Sequence, residues 1–142
     1  MAIQQISVFL ENKEGKMAEA IKAISGANVN IRALCVADTR DFGILRLITT
    51  DNASAKNALR DTGAVLTTDV IAAKMDDTAG ALSGILQILA EAKINIEYMY
   101  AFTGAAAFGA YVVLRVDNTP AAEAILKAAG IHTLSDDDVK AM

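Results

Sequence analysis

The chain has 142 residues, of which 54% are hydrophobic, and carries a formal net charge of −4. That length suffices for one ordinary domain or two very small ones. No apolar run reaches the roughly eighteen residues of a membrane span, and a pI near 4.9 argues against the basic surface that nucleic acid requires.

Met1 to Lys13, MAIQQISVFLENK, places no basic region ahead of its apolar stretch, so no signal peptide is expected. Cys35 is the only cysteine, which rules out an intrachain disulfide and suits a reducing cytoplasm. From the N-terminus, Ile6, Val8 and Leu10 alternate as a strand, and ENKEG turns the chain. Met17, Ile21 and Ile24 then recur at helical spacing until Gly26. Asn28 to Asn30 lead into the strand IRALCVA, and a polar hairpin from Asp38 to Asp41 precedes the strand GILRLIT. Asp51 or Asn52 caps a second helix that runs to about Asp61 and stops at Gly63. The strand AVLTTDV then flows almost directly into a new first strand.

The second half repeats this grammar. Leu82, Ile85, Leu86 and Leu89 mark its first helix, and IEYMYAF and AYVVLRV its middle strands. Thr119 is expected to cap its second helix, with Pro120, the only proline, at the first helical position. An offset of 65 residues superimposes Gly15 on Gly80, Ala27 on Ala92, Asn30 on Asn95 and Ile31 on Ile96. With one residue of drift Phe42-Gly43 meets Phe108-Gly109, and with one more Leu59 meets Leu126 and Gly63 meets Gly130. An ordered series of this kind is a tandem duplication.

Strand, helix, strand, strand, helix, strand is the split βαβ, ferredoxin-like order. The expected fold is therefore α+β: two tandem βαββαβ units, residues 1–69 and 70–142, with antiparallel sheets and helices on one face. Ile96, Tyr98, Tyr100 and Phe102 share one side of their strand and Met99 and Ala101 the other. Leu34 and Val36 similarly oppose Ile31, Ala33 and Cys35. Apolar residues on both sides imply that the second face is covered too, by the sister repeat or another subunit, and a homodimer is expected.

Catalytic readings fail on inventory. His132, the only histidine, falls in the expected last strand as a partly buried residue, without a second histidine or cysteine for a metal site or nucleophilic relay. Ser83 in GALSG has the wrong spacing for a nucleophile elbow. Gly15-Lys16 lacks the remainder of a P-loop. GAAAFG, Gly104 to Gly109, falls in an expected hairpin, and Asp136 to Asp138 read as a solvated turn or frayed end. No catalytic residue, metal or cofactor is expected. What remains is the pair of strand-to-helix turns, Glu11 to Gly15 and Asp76 to Gly80. A helix N-terminus suits a carboxylate, glycine permits close approach to the backbone, and Asn12 or Asp77 can accept a hydrogen bond from an α-ammonium group.

These residues resemble the ACT domain, a βαββαβ ligand-binding module of amino-acid-regulated enzymes. DTAG, Asp77 to Gly80, followed by Ala81-Leu82, is similar to the family's Asp-x-Pro-Gly-x-Leu turn, and NKEG, Asn12 to Gly15, to a diverged copy of it. Asn30-Ile31 and Asn95-Ile96 match the Asn-Ile pair that opens the family's second strand. FLENKEG, ALCVAD, FGILR and IEYMYAF resemble short stand-alone tandem ACT proteins. The resemblance implies effector binding between the first turn of one unit and the second-strand start of a neighbour. It selects Asn12, Gly15, Asn30 and Ile31, with Asp77, Gly80, Asn95 and Ile96, as ligand-binding residues.

Two departures stand out. Glu14 and Ala79 replace the family proline, and the copies differ in charge at Asn12 against Asp77 and at Arg32 against Glu97. Arg46 is a further candidate for a carboxylate, although it also reads as an arginine snorkelling from a strand end. The function expected is that of a non-catalytic cytoplasmic sensor, binding a free amino acid and signalling to a partner enzyme. The alternatives are a regulatory subunit resembling the small acetolactate synthase subunit, and a structural dimerisation module without ligand.

Overall fold

The computed structural model describes residues 2–102 and 109–142, so most of the GAAAFG stretch lies outside the described residues. Six strands and five helices follow in the order β1 (Ile3–Glu11), α1 (Lys16–Gly26), β2 (Ile31–Asp38), β3 (Phe42–Thr49), α2 (Asn52–Leu59), β4 (Ala64–Met75), α3 (Ala81–Glu91), β5 (Ile96–Ala101), β6 (Ala110–Val116), α4 (Thr119–Ala128) and α5 (Asp136–Ala141). The fold is the tandem βαββαβ arrangement expected of the duplication. Contacts divide the chain into one unit built on Gln4–Thr68 and another on Asp69–Val139. In the first the hydrogen-bonded strand order is β2-β3-β1-β4, and in the second β4-β6-β5.

In the first unit Ile6 pairs with Leu47 and Val8 with Leu45 across an antiparallel ladder. Residues directly opposite share a face, so these four side chains point together. They pack with Leu10 against Ala20 and Ile24 of α1 and Ala55 and Leu59 of α2, all buried. The second unit repeats the core. Ile71 and Ala73 of β4 join Val112, Leu114 and Val116 of β6, under Ile85 and Leu89 of α3 and Ala122 and Leu126 of α4. Both helices of each unit thus cover one face of its sheet. The opposite faces carry buried residues as well: Gln5, Ala33 and Ile48 in one unit, Val70, Ala72 and Val113 in the other. Gln5 is no burden there, because its Nε2 donates to Ser7 Oγ at 3.1 Å.

Five expectations need correction. Bulges at the starts of β2 and β5 reverse the side-chain parity, so Ile31 and Ile96 lie opposite Thr49 and Val116 and pack on the cores, on the other face from Ala33 and Tyr98. Asn118, not Thr119, caps α4: its side chain accepts from Ala121 N–H at 3.2 Å, in a β-like conformation that frees it from the helix. The last strand of the second unit shrinks to a single bridge between Ala73 and Thr133, flanked by Lys74 N–H donating to the His132 carbonyl. His132 therefore lies outside any strand and is exposed. Asp136 to Asp138 open α5 instead of fraying, because Ser135 N–H donates to Asp138 and Asp138 N–H donates back to Ser135 Oγ. That reciprocal pair satisfies two donors at the helix start. Among the described residues no helix is long and apolar enough to cross a membrane.

Gly63 packs tightly against β1: a Cβ there would overlap the Phe9 carbonyl oxygen, which is backbone and cannot rotate away. Gly63→Ala should destabilise the chain by about 2 kcal/mol, read as a lower urea midpoint at unchanged m-value. A second test concerns the caps. Hydrogen bonds from the Ser54 side chain and backbone hold the Asp51 carboxyl below its ordinary value, and Ser135 does the same for Asp138. A lowered folded pKa contributes stability that is present above the unfolded value near 3.8 and is lost as pH falls through the folded value. The urea midpoint should accordingly drop between pH 5 and pH 2, and Asp51→Asn should flatten part of that drop.

Candidate functional site

In each repeat the strand-to-helix turn ends on a glycine in the left-handed region, Gly15 at φ 80° and Gly80 at φ 89°. Both are helix N-caps, and no side chain caps either helix. The space beside each glycine is open, so the requirement is for the backbone angle and not for lack of a side chain. The first amide of each helix is taken within the turn, Lys16 N–H donating to the Lys13 carbonyl at 3.3 Å and Ala81 N–H to the Thr78 carbonyl at 3.2 Å, while no side-chain acceptor caps the amides that follow, where the helix dipole favours an anion. The turns are exposed along Asn12–Gly15 and Asp76–Gly80. Asn12 N–H donates to the Asp41 carbonyl at 3.2 Å, tying the first turn to the hairpin between β2 and β3. Glu11 and Lys13 pair at 2.9 Å, which lowers the Glu11 carboxyl and raises the Lys13 ammonium. This pair is solvent-exposed and contributes little to stability.

The second-strand starts are also built alike. Asn30 N–H donates to Thr50 Oγ1 at 3.2 Å and its carbonyl accepts from Thr50 N–H at 3.0 Å. Asn95 N–H donates to Asp117 Oδ1 at 3.1 Å and its carbonyl accepts from Asp117 N–H at 3.1 Å. Each Asn-Ile pair is thus clasped from both sides, with the asparagine side chain exposed and the isoleucine half-buried.

Within one unit the turn and the Asn-Ile pair are not neighbours. Asn12 sits at the Phe42 end of β3 and Asn30 at its Thr49 end, roughly 23 Å apart at about 3.3 Å per strand residue. The same holds for Asp77 and Asn95 at the two ends of β6. Around Asn30 and Ile31 lies a depression of about 340 Å³, floored by Ile21, Ile24 and Val29 and rimmed by Ser25 and Asn28. Beside the second turn lies one of about 370 Å³, lined by Lys74, Met75, Asp76, Ala81, Ile85, Gly130, Ile131 and His132. Lys74 and His132 were not selected from the sequence. The repeat alignment held the signal, since they stand where the first copy has Phe9 and Val65.

Arg46 is half-buried in mid-strand on β3, with Ser7 and Cys35 as its register partners. Glu97 is engaged by Arg115, Nε to Oε2 at 3.0 Å, and Arg115 also donates to the Asp69 carbonyl. Among the described residues no group of three His, Cys, Asp or Glu side chains could hold a metal ion.

The family model for an ACT domain pair matches residues 1–142. The chain belongs to the ACT domain pair family. Its coordinates are similar to those of protein BT0572 from Bacteroides thetaiotaomicron, at 37% identity and a TM-score of 0.90, covering 100% of this chain and 98% of that one. The fold is shared with the ligand-free regulatory subunit of aspartate kinase from Thermus thermophilus, at 15% identity, TM-score 0.64 and 89% coverage of both chains. The corresponding Thermus flavus subunit has 17% identity and a TM-score of 0.62, with 89% of this chain and 90% of that one covered. No curated protein matches the chain.

The cap glycines of this ACT pair give a direct test of backbone demand. Asparagine tolerates the left-handed region and valine does not. Gly80→Asn should unfold within about 0.5 kcal/mol of the parent, and Gly80→Val should lose about 1–2 kcal/mol, as measured by urea denaturation.

Proposed function

We propose that this ACT pair is a non-catalytic regulatory protein that binds a free amino acid between ACT units and signals to a partner enzyme of amino-acid metabolism. The two units are residues 1–69 and 70–142, and the working assembly is a cytoplasmic homodimer. The observation that carries the reading is the pair of exposed turns whose left-handed glycines leave the α1 and α3 N-termini without side-chain caps. Such a terminus suits a carboxylate, and the adjacent Asn12 or Asp77 oxygen suits an ammonium group. Both halves of a free amino acid then have a partner. Because turn and Asn-Ile pair lie at opposite ends of one unit, Asn30, Ile31, Asn95 and Ile96 serve ligands held by a neighbouring unit's turn. The copies are unequal in charge, so their ligand preferences differ.

The signal follows from differential affinity: a ligand that touches two units favours the arrangement that brings its two sets of contacts together. A regulatory subunit in stable complex with a catalytic chain is the second reading. Its support is that fold relatives are described as regulatory subunits of aspartate kinase, and co-purification from the native cell distinguishes it.

A thermal-shift screen against the twenty amino acids tests the ligand. At about a hundred times its dissociation constant a specific amino acid should add roughly 2.7 kcal/mol of stability. Asp77→Ala should abolish binding at the second turn and Asn12→Ala at the first, with the unliganded melting temperature little changed. Absence of any shift across the panel at millimolar concentration overturns the sensor reading.

A further inference from the structure

The C-terminal end of α2 gathers two cations. Lys56 and Arg60 stand four residues apart, one helical turn, so they share a face. With Asn57, Gly63 and Val65 they line a depression of about 320 Å³ in the first unit. Arg60 is held in place there: its Nη2 donates to Asn57 Oδ1 at 2.8 Å, and the rest of its guanidinium fork stays open to another acceptor. Among the described residues no carboxylate pairs with Lys56 or Arg60, and Asp61, the nearest in sequence, does not line the depression. Gly63 seats the depression against Phe9. Phe9 lies three residues before Asn12, which puts the depression at the turn end of the unit.

A helix C-terminus favours a cation through its dipole, and the second repeat shows what that demand alone produces. The offset that matches Leu59 with Leu126 and Gly63 with Gly130 turns Lys56 into Glu123 and Arg60 into Lys127. Glutamate four residues ahead of lysine is a stabilising helix pair, whereas two cations at that spacing repel. The first unit retains a repulsion that its sister has replaced by an attraction, although both helices end alike. The depression beside Gly130 and His132 is lined by neither Glu123 nor Lys127. The wider field agrees. Residues 1–68 carry 8 Lys or Arg against 7 Asp or Glu, and residues 69–142 carry 5 against 10, so an anion meets less repulsion on the first unit.

We propose that this depression binds the dianionic phosphoryl group of a small phosphorylated metabolite, with the Arg60 fork on two of its oxygens and Lys56 as the second positive charge. Two cations balance a dianion, and a planar guanidinium matches two phosphoryl oxygens at once. A single carboxylate brings one charge and leaves one cation unpaired. One phosphoryl group in one depression is also a smaller demand than the basic surface that nucleic acid needs. The site is distinct from the two turns, and its occupant is independent of the amino-acid ligand.

Glycerol phosphate titrated into the full chain at low ionic strength tests the site by amide NMR. Saturable shifts are expected at Asn57 to Val65. Binding should tighten as pH rises through about 6, where a phosphate ester loses its second proton. Lys56→Ala and Arg60→Ala should each weaken it about tenfold. Arg60→Lys, which keeps the charge and loses the fork, should weaken it as well. Lys56→Glu, which reproduces the second unit's charge pattern, should abolish it with the remaining resonances in place. Shifts that survive Lys56→Glu, or that appear equally around Lys22 and Arg40, overturn the site. Succinate binding as tightly as glycerol phosphate overturns the phosphoryl assignment, and the absence of saturable shifts at millimolar concentration overturns the proposal.

Discussion

The structure of each repeat depends on one backbone constraint: the residue before the first helix is held at positive φ. Gly15 and Gly80 satisfy it at φ 80° and 89°, and a left-handed N-cap puts no side-chain oxygen in reach of the helix amides. The second helices of the same units solve their N-termini differently. Asp51 accepts from Ser54 N–H and Oγ, and Asn118 accepts from Ala121 N–H. Capping acceptors were thus available to this sequence at two helix starts. At the two starts that bear the ACT turn they are absent. A terminus that remains uncapped keeps its affinity for an external acceptor, which is why the ligand reading attaches to the first helices and not to the second.

The cores of the two units show how far duplication constrains divergence. Ile6, Ala55 and Leu59 match Ile71, Ala122 and Leu126, and all are buried. At two other matched positions the first unit has Val8 and Ala20 where the second has Ala73 and Ile85. The loss of volume on the strand accompanies a gain on the helix, the kind of exchange that a packed interior tolerates. At the half-buried margin of the core this restraint lapses. Phe9 and Val65 become Lys74 and His132, and the fourth strand of the first unit becomes a single bridge in the second.

The alternation of Ile6, Val8 and Leu10 and the helical spacing of Ile21 and Ile24 made the elements legible, because both periodicities are set by burial on one face. Helix starts were less legible. Asn118 and Thr119 are both good caps, and only the backbone decides between neighbours. The missing last strand of the second unit could not be read either, since Ile131 to Leu134 have strand character and their failure to pair is a tertiary fact. The turns and Asn-Ile pairs were found as motifs. Their 23 Å-scale separation within a unit needed the register of β3. Lys74 and His132 belong to no ligand-binding motif, and their meaning appears only when the copies are compared.

The proposed ligand contacts of each second strand sit beside a break in its ladder. Asn30 and Ile31 begin β2, held by the Thr50 clasp, and Ala33 to Asp38 run in regular register. Between them sits the bulge at Arg32, the point where the strand departs from regular pairing with β3. An amino acid gripped at Asn30, as proposed, acts directly beside that irregularity. If it favours one bulge geometry over another, its differential affinity shifts the strand toward that geometry. The second unit has a bulge at the same place, between Ile96 and Tyr98, next to a clasp of the same form. An amino acid held at Asn95, as proposed, therefore meets the same backbone irregularity, and the two repeats share one means of moving the strand that follows.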